Sequence, residues 1–308
     1  MNASHHARSI LVAGVLFASL SAIFIRLSDS PPLVIAFYRM LFTSAMLLPS
    51  YLLGLRRQRR RAALRSGSSA SVGRHPLRVV LLLVLSGLFL ALHFATWITS
   101  LQYTSVASAV VLVSLHPIFV ATGSVLFLRE SVRPVVFVCI LAAIAGSVIL
   151  SVSDAGADPG ALTGNLLAVA GAATVSGYML IGRAVRRSVG AVTYNFSVYA
   201  STTLFLLVFT LIAPVPLTGY AVREFIIFLA LAFFCTILGH SIFNWGLKYL
   251  PASFVSASIL LEPLFASVLA ALIFAEIPGL LAILGGVVVI VSLFGVIRLD
   301  RSLLPSPP

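Results

Sequence analysis

Charge is what this chain has least of. Only 9% of its 308 residues are Asp, Glu, Lys or Arg, while 60% are apolar. Soluble domains carry about 25% charged residues. So little charge cannot cover a water-facing surface, and lipid must be the solvent for most of the chain. A mean hydropathy of +1.12 agrees. Cysteine is scarce as well. Cys139 and Cys235 both sit in apolar runs, where they read as small fillers rather than a disulfide framework or metal site. Lysine occurs once, as Lys248, and neither a Gly-x-x-x-x-Gly-Lys-Ser/Thr loop nor a His-Glu-x-x-His pattern is present. Those patterns would cradle a nucleotide or hold zinc. The pair His5–His6 is too short to stand in for them, so no cofactor or metal is expected and any energy must come from a gradient. Alternation of apolar and polar residues is also missing, which argues against a membrane β-barrel. Backbone groups in lipid must bond within their own segment, so solid apolar blocks read as helices.

About 20 apolar residues span a bilayer as a helix. Ten candidate spans follow, at about 9–27, 33–54, 77–100, 104–127, 134–153, 162–182, 190–213, 222–246, 251–275 and 279–298. Breakers such as SDSPP, RESVRP, DAGADPGA and APVPLTG separate them, as Pro and Gly do for backbone reasons. The first run, after Arg8, reaches about 17 residues without a clear small-residue cleavage site, and reads as a span rather than a secretion signal. With the N-terminus in the cytoplasm, seventeen of the 20 basic residues fall inside, Arg26 and Arg223 fall outside, and Arg39 lies within a span. That asymmetry puts both termini in the cytoplasm. It also explains the formal charge of +12 by loops rather than by nucleic acid. The Arg-rich stretch 55–76 reads as a solvated cytoplasmic linker, with attraction to lipid headgroups as a secondary role.

The halves of the chain resemble each other. LQYTSVASAVVLVSLHPIFVATGSVLFLRE begins at Leu101 and LKYLPASFVSASILLEPLFASVLAALIFAE at Leu247, an ungapped offset of 146. Tyr103 matches Tyr249, Pro117 matches Pro263, Phe119 matches Phe265 and Glu130 matches Glu276. Each half holds five spans, an odd number, so the second half enters the membrane from the opposite side. Residues 1–153 and 154–308 are therefore expected to form two inverted repeats, a pattern of secondary transporters whose sites lie at the midplane.

These two segments, together with AIFIRLSDSPPLVIAFYRMLF, resemble the EamA-type branch of the drug/metabolite transporter (DMT) superfamily. The similarity runs over nearly the whole chain and is weaker in 55–76 and in the fifth and seventh spans. It implies an all-α integral membrane fold of ten transmembrane helices. It implies a central cavity lined by the first, third, fourth, sixth, eighth and ninth of them. It also implies a permease exporting amino acids or other small metabolites across the bacterial inner membrane. Glu130 stands where the family has a glutamate after the fourth span. Glu276, in FAEIPG, lacks the family's neighbouring basic residue, a departure expected to affect only the loop.

Glu262 is the candidate that most needs a reason. It is the twelfth residue of its span, where a charge costs roughly 2.5–3.5 kcal/mol on insertion scales. It must face protein or a wet cavity. The repeat offset places His116 at the equivalent depth. Glu262 then serves as a substrate-amine contact or a proton site, or else braces the helix before Pro263 through a backbone donor or a buried arginine. Arg39 contacts a substrate carboxylate, forms a structural ion pair, or snorkels to the interface.

Polar stripes at helical spacing mark five spans. They are Ser86, Leu90, His93, Trp97 and Ser100 in the third; Ser105, Ser108, Leu112 and His116 in the fourth; Gly171, Thr174, Tyr178 and Gly182 in the sixth; Phe233, Thr236, His240 and Asn244 in the eighth; and Val255, Ser258, Glu262 and Phe265 in the ninth. Such residues also glue helices together by roughly 0.6–2 kcal/mol each, and Trp97 also reads as an interface anchor. Five stripes on helices that the resemblance places around a cavity favour a solute pathway.

The expected substrate-binding set is Glu262, His116, His93, Trp97, Tyr178, Asn244, His240, Ser258 and Arg39. It suits an amino acid or related amphiphile better than a phosphate, which needs several Arg or Lys. The expected function is a secondary transporter, not an enzyme, working by alternating access with proton coupling or by facilitated diffusion. The alternatives are a membrane-embedded enzyme acting on a lipid-borne substrate through His93, His116, His240 and Glu262, or a passive channel. The fifth and tenth spans are rich in small residues, which suits close helix packing and leaves a homodimer seam open.

Overall fold

The computed structural model describes residues 3–65, 76–128, 160–250, 252–259 and 262–299, with scattered helical positions between 135 and 149. Most of the fifth expected span, Glu130, and positions 66–75 of the Arg-rich stretch lie outside the described residues. Among the described residues every regular element is a helix. In order they are α1 (Ala3–Arg26), α2 (Pro32–Arg65), α3 (Leu77–Ser100), α4 (Val106–Val113), α5 (His116–Leu128), α6 (Ala161–Val185), α7 (Ala191–Ile212), α8 (Val222–Gly246), α9 (Ala252–Ser258), α10 (Glu262–Phe274) and α11 (Leu280–Leu299). Six stretches are long and apolar enough to cross a membrane: Pro32–Gln58, Leu77–Ser100, Val106–Leu128, Ala161–Val185, Ala191–Ile212 and Val222–Gly246. Shorter apolar helices cover Ile10–Arg26, Phe265–Phe274 and Leu280–Ser292. Large apolar side chains such as Phe127, Ile212 and Leu272 are each 78% exposed, which is tolerable on a lipid-facing surface and not on a watery one. The chain is a multi-pass membrane protein.

Two of the expected spans are broken, and the sequence says why. Proline has no N–H and clashes with the carbonyl four residues back. Pro117 follows the gap between α4 and α5, and Pro263 follows the gap between α9 and α10. The residues just before them, His116 and Glu262, therefore stand at the start of the second half-helix in each case. α4 begins properly: Ser105 is its N-cap, accepting from the Ser108 N–H at 3.1 Å, worth about 1 kcal/mol.

α8 departs from α winding over Leu231–His240, which is a π-helix. There the Thr236 hydroxyl donates to the Leu231 carbonyl, and the Ser241 hydroxyl to the Thr236 carbonyl, each five residues back. Five-residue spacing turns the helix less per residue. The expected stripe of Phe233, Thr236, His240 and Asn244 consequently does not share one face. Phe233 is 43% exposed on the outside, while Thr236 and Asn244 are fully buried.

Helix pairs pack closely where side chains are small. α3 lies along α6 and α7, α2 along α7, and α1 along α8. At Gly87 of α3 an added Cβ would stand 2.5 Å from the Ser201 Cβ of α7, and the Thr202 hydroxyl donates to the Gly87 carbonyl. Gly146, in the region of the fifth span, approaches the backbone of Gly285 and Val289 in α11. At Gly146 and at Gly295, which faces Cys139, the two stretches meet within the chain.

Candidate functional site

The bundle encloses a cavity with about 610 Å³ of space free of protein atoms, part of it open to the outside. Its wall comes from α1, α3, α4–α5, α6, α8 and α9–α10. Both helix breaks open onto it, bringing His116 and Glu262 to one chamber.

His116 is held by the break itself. Pro117 cannot donate to the Val113 carbonyl, the oxygen four residues back, and His116 Nδ1 lies 3.1 Å from that oxygen instead. Its Nε2 lies 3.2 Å from the Ser256 carbonyl in α9. One imidazole thus links the first broken helix to the second. A neutral ring carries one N–H and donates to one carbonyl at a time, whereas an imidazolium donates to both. The Ser176 hydroxyl of α6 donates to the His116 carbonyl at 3.0 Å, fixing the joint further.

Glu262 has no hydrogen bond or ion pair with any described residue, although it borders the cavity. Arg39, the other charge in the apolar interior, lies one layer behind the wall. It is fully buried, donating from Nε to Thr236 Oγ1 at 2.8 Å and from Nη1 to Ser21 Oγ at 2.8 Å, with its guanidinium carbon 4.4 Å from the centre of the Phe94 ring. Arg39 is therefore not itself among the lining residues, while Ser21, which it bonds, is. Ser258, the last residue of α9, is also not among the lining residues.

The remaining expected residues border the cavity, in different ways. His93 and Trp97 lie one turn apart on α3 with their rings 5.8 Å apart and 4° from parallel. His93 Nδ1 faces the Gly171 carbonyl at 2.9 Å. A carbonyl only accepts, so Nδ1 carries the hydrogen and Nε2 is left as an acceptor. The Trp97 Nε1–H is buried without a partner. His240 packs edgewise on Phe94 and tilts against Phe243.

Tyr178 and Asn244 spend their donors on each other and on neighbouring helices. The Tyr178 hydroxyl donates to Asn244 Oδ1 at 2.5 Å. Asn244 Nδ2 donates to Asn195 Oδ1 at 2.8 Å and to Tyr199 at 3.1 Å. They close one end of the chamber as a network and have little capacity left for a ligand. Two members of the α3 stripe are also spent on the fold: Ser86 bonds Tyr194 at 3.0 Å, and Ser100 donates to the Trp97 carbonyl. Phe265 is 36% exposed and faces away.

Sequence reasoning missed Ser21 and the apolar lining residues Met179 and Phe243. Ser21 is one serine among several in α1, and only the buried donor of Arg39 marks it out.

The opposite end, near Arg26, is tied by charge. Arg26 Nη2 pairs with Glu276 Oε1 at 3.2 Å, and Arg26 Nη1 donates to the Leu101 carbonyl at 2.5 Å. Glu276 Oε2 accepts the Val106 N–H at 2.9 Å. The glutamate after α10 thus holds α1 and the start of α4 together, a larger role than that of a loop residue alone. Ala275, at φ 55, supplies the left-handed turn that ends α10 before it. Glu224 does similar work at the start of α8, accepting from the hydroxyls of Ser28 and Ser30.

Among the described residues no group of three His, Cys, Asp or Glu side chains is placed to hold a metal ion. No curated protein matches the chain. A solved structure described only as "Crystal structure of protein" superposes with a TM-score of 0.69 over 97% of this chain and 99% of that one, at 20% identity, a likeness of fold alone. The EamA-like transporter family matches twice, over residues 8–152 and 162–298. With paired matches over nearly all its length and a chamber between broken helices, the chain belongs to the EamA-like transporter family of the DMT superfamily.

Proposed function

We propose that this protein is a secondary transporter, a permease that exports a small metabolite, an amino acid or related amphiphile, across the bacterial inner membrane. The reading takes the chain as ten transmembrane helices in two inverted repeats, 1–153 and 154–308, with both termini in the cytoplasm. Alternating access proceeds by rocking of the repeats about the chamber. Glu262, His93, Trp97 and His240 contact the solute, and Tyr178, Asn244, Arg39 and Ser258 support them. The observation that carries the reading is the meeting of two proline-broken half-helices, with His116 and Glu262 at their breaks, on one cavity. Irregular backbone at membrane depth is tolerated where it lines a cavity, and transporters place their sites at such discontinuous helices. The paired family match supports the repeats. The two carbonyls facing His116 support proton coupling through that residue and Glu262.

Reconstitution in proteoliposomes tests the reading. Preloaded amino acid or amine should drive saturable counterflow of the labelled solute, and an imposed pH gradient should change the flux. Linear, unsaturable flux without counterflow would count for a channel and against this proposal. Saturable flux that ignores the gradient would remove the coupling and leave the permease.

A further inference from the structure

Among its described residues the cavity wall carries one acidic group and no basic side chain of Lys or Arg. Its free acceptors are the Glu262 carboxylate, which no described residue partners, and His93 Nε2, left bare because Nδ1 faces the Gly171 carbonyl; His240, held only by ring contacts, adds one neutral acceptor and one neutral N–H. The Trp97 indole N–H is a further unpartnered donor. Ser114, also on the wall, donates to the Val110 carbonyl of its own helix. The nearby cation, Arg39, is held behind Ser21 with its guanidinium against Phe94, and its Nη2 is buried without a partner but is not on the wall.

From this pattern we infer that the site takes a planar organic amine bearing a net positive charge and a neutral acceptor, with no free carboxylate, in preference to a zwitterionic amino acid. The inference rests on the transporter reading and narrows its substrate class. An ammonium supplies several N–H donors, matching Glu262 and His93 together. A flat apolar body fits beside the parallel rings of His93 and Trp97, where a cation also gains from the indole face. One neutral acceptor, such as a hydroxyl or amide oxygen, takes the Trp97 N–H. A carboxylate on the same ligand would meet Glu262 with no cation on the wall to pair with directly, and an unpaired buried charge is strongly penalised. An amino acid thus gains at its ammonium and loses at its carboxylate, while its reduced or amidated relative only gains.

The test uses the purified full chain and a matched pair, phenylalaninol and phenylalanine, with calorimetric titration at neutral pH. Phenylalaninol is expected to bind about tenfold or more tightly than phenylalanine. Glu262→Gln should abolish that preference, Glu262→Asp should keep most of it, and Trp97→Phe should weaken phenylalaninol a few-fold while keeping the preference. Equal or reversed affinities, a preference that survives Glu262→Gln, or no binding of either compound would overturn the inference. Counterflow of both compounds separates it from the reading beneath it. Saturable counterflow of phenylalanine uninhibited by phenylalaninol sinks the charge preference and spares the transporter. Charge-dependent binding of phenylalaninol, with no counterflow of either compound, keeps the preference and sinks transport.

Discussion

Glu262 and Arg39 bring opposite charges into apolar helices, and their surroundings separate their roles. Arg39 is enclosed by two hydroxyl acceptors and an aromatic face; hydrogen bonds to charged groups contribute about 1.5–3 kcal/mol each. Glu262 has no such support. Arg39→Gln should therefore lower unfolding stability by about 3 kcal/mol. Glu262→Gln should leave stability within about 0.5 kcal/mol of the wild type while cutting flux by at least about tenfold. Thermal melts and proteoliposome flux on both variants check the contrast, and parallel loss of melting and flux in Glu262→Gln would mark a bracing role. At this scale the sequence was informative where helices are regular. His93 and Trp97 reach the chamber because α3 keeps its α period; His116 and Glu262 were paired by the repeat offset, while the helix breaks beside their prolines were not read from the letters. The position of Arg39 behind Ser21 was not legible, because depth along a helix does not reveal which neighbour will intervene.

Single helices show what periodicity can and cannot give. Helix positions were legible as long apolar blocks, and the spans of α3, α6 and α7 agree closely with those blocks. The π segment of α8 was not legible, because no residue type demands five-residue spacing, and that one change turned Phe233 outward. The close approach of α3 and α7 gives a prediction at the same scale. Gly87→Ala forces a Cβ against Ser201 and the Val198 carbonyl and should destabilise by about 1–3 kcal/mol. Gly54→Ala, in α2 with nothing within 4 Å, should stabilise by about 0.5–1 kcal/mol. Denaturant unfolding midpoints of the two variants should move in opposite directions.

For the whole molecule, the internal repeat was the strongest signal, because matched Tyr, Pro and Glu at one offset are rarer than matched Leu and Val. It placed His116 and Glu262 at matching depth, although tertiary ties such as Arg26–Glu276 join positions that no local pattern connects. Weakening that tie should loosen one end of the chamber. Glu276→Gln removes the ion pair with Arg26 and leaves the Val106 N–H a poorer acceptor. Amide hydrogen exchange near Val106 and after α10 should then quicken by about tenfold, while exchange in the Tyr178–Asn244 network stays as it was. Unchanged exchange near Val106 would mean that the charges are ornamental there.

A discontinuity written by proline differs from one produced by weak packing. No lipid, solute or change of acidity can give Pro117 the hydrogen it lacks, so the Val113 oxygen reaches every conformation of the protein without its natural donor. The vacancy is covalent and permanent, and some other group must answer it at each stage of a working cycle. In this conformation His116 answers it, which makes the ring part of the backbone's own bonding and ties any swing of that side chain to the shape of the joint.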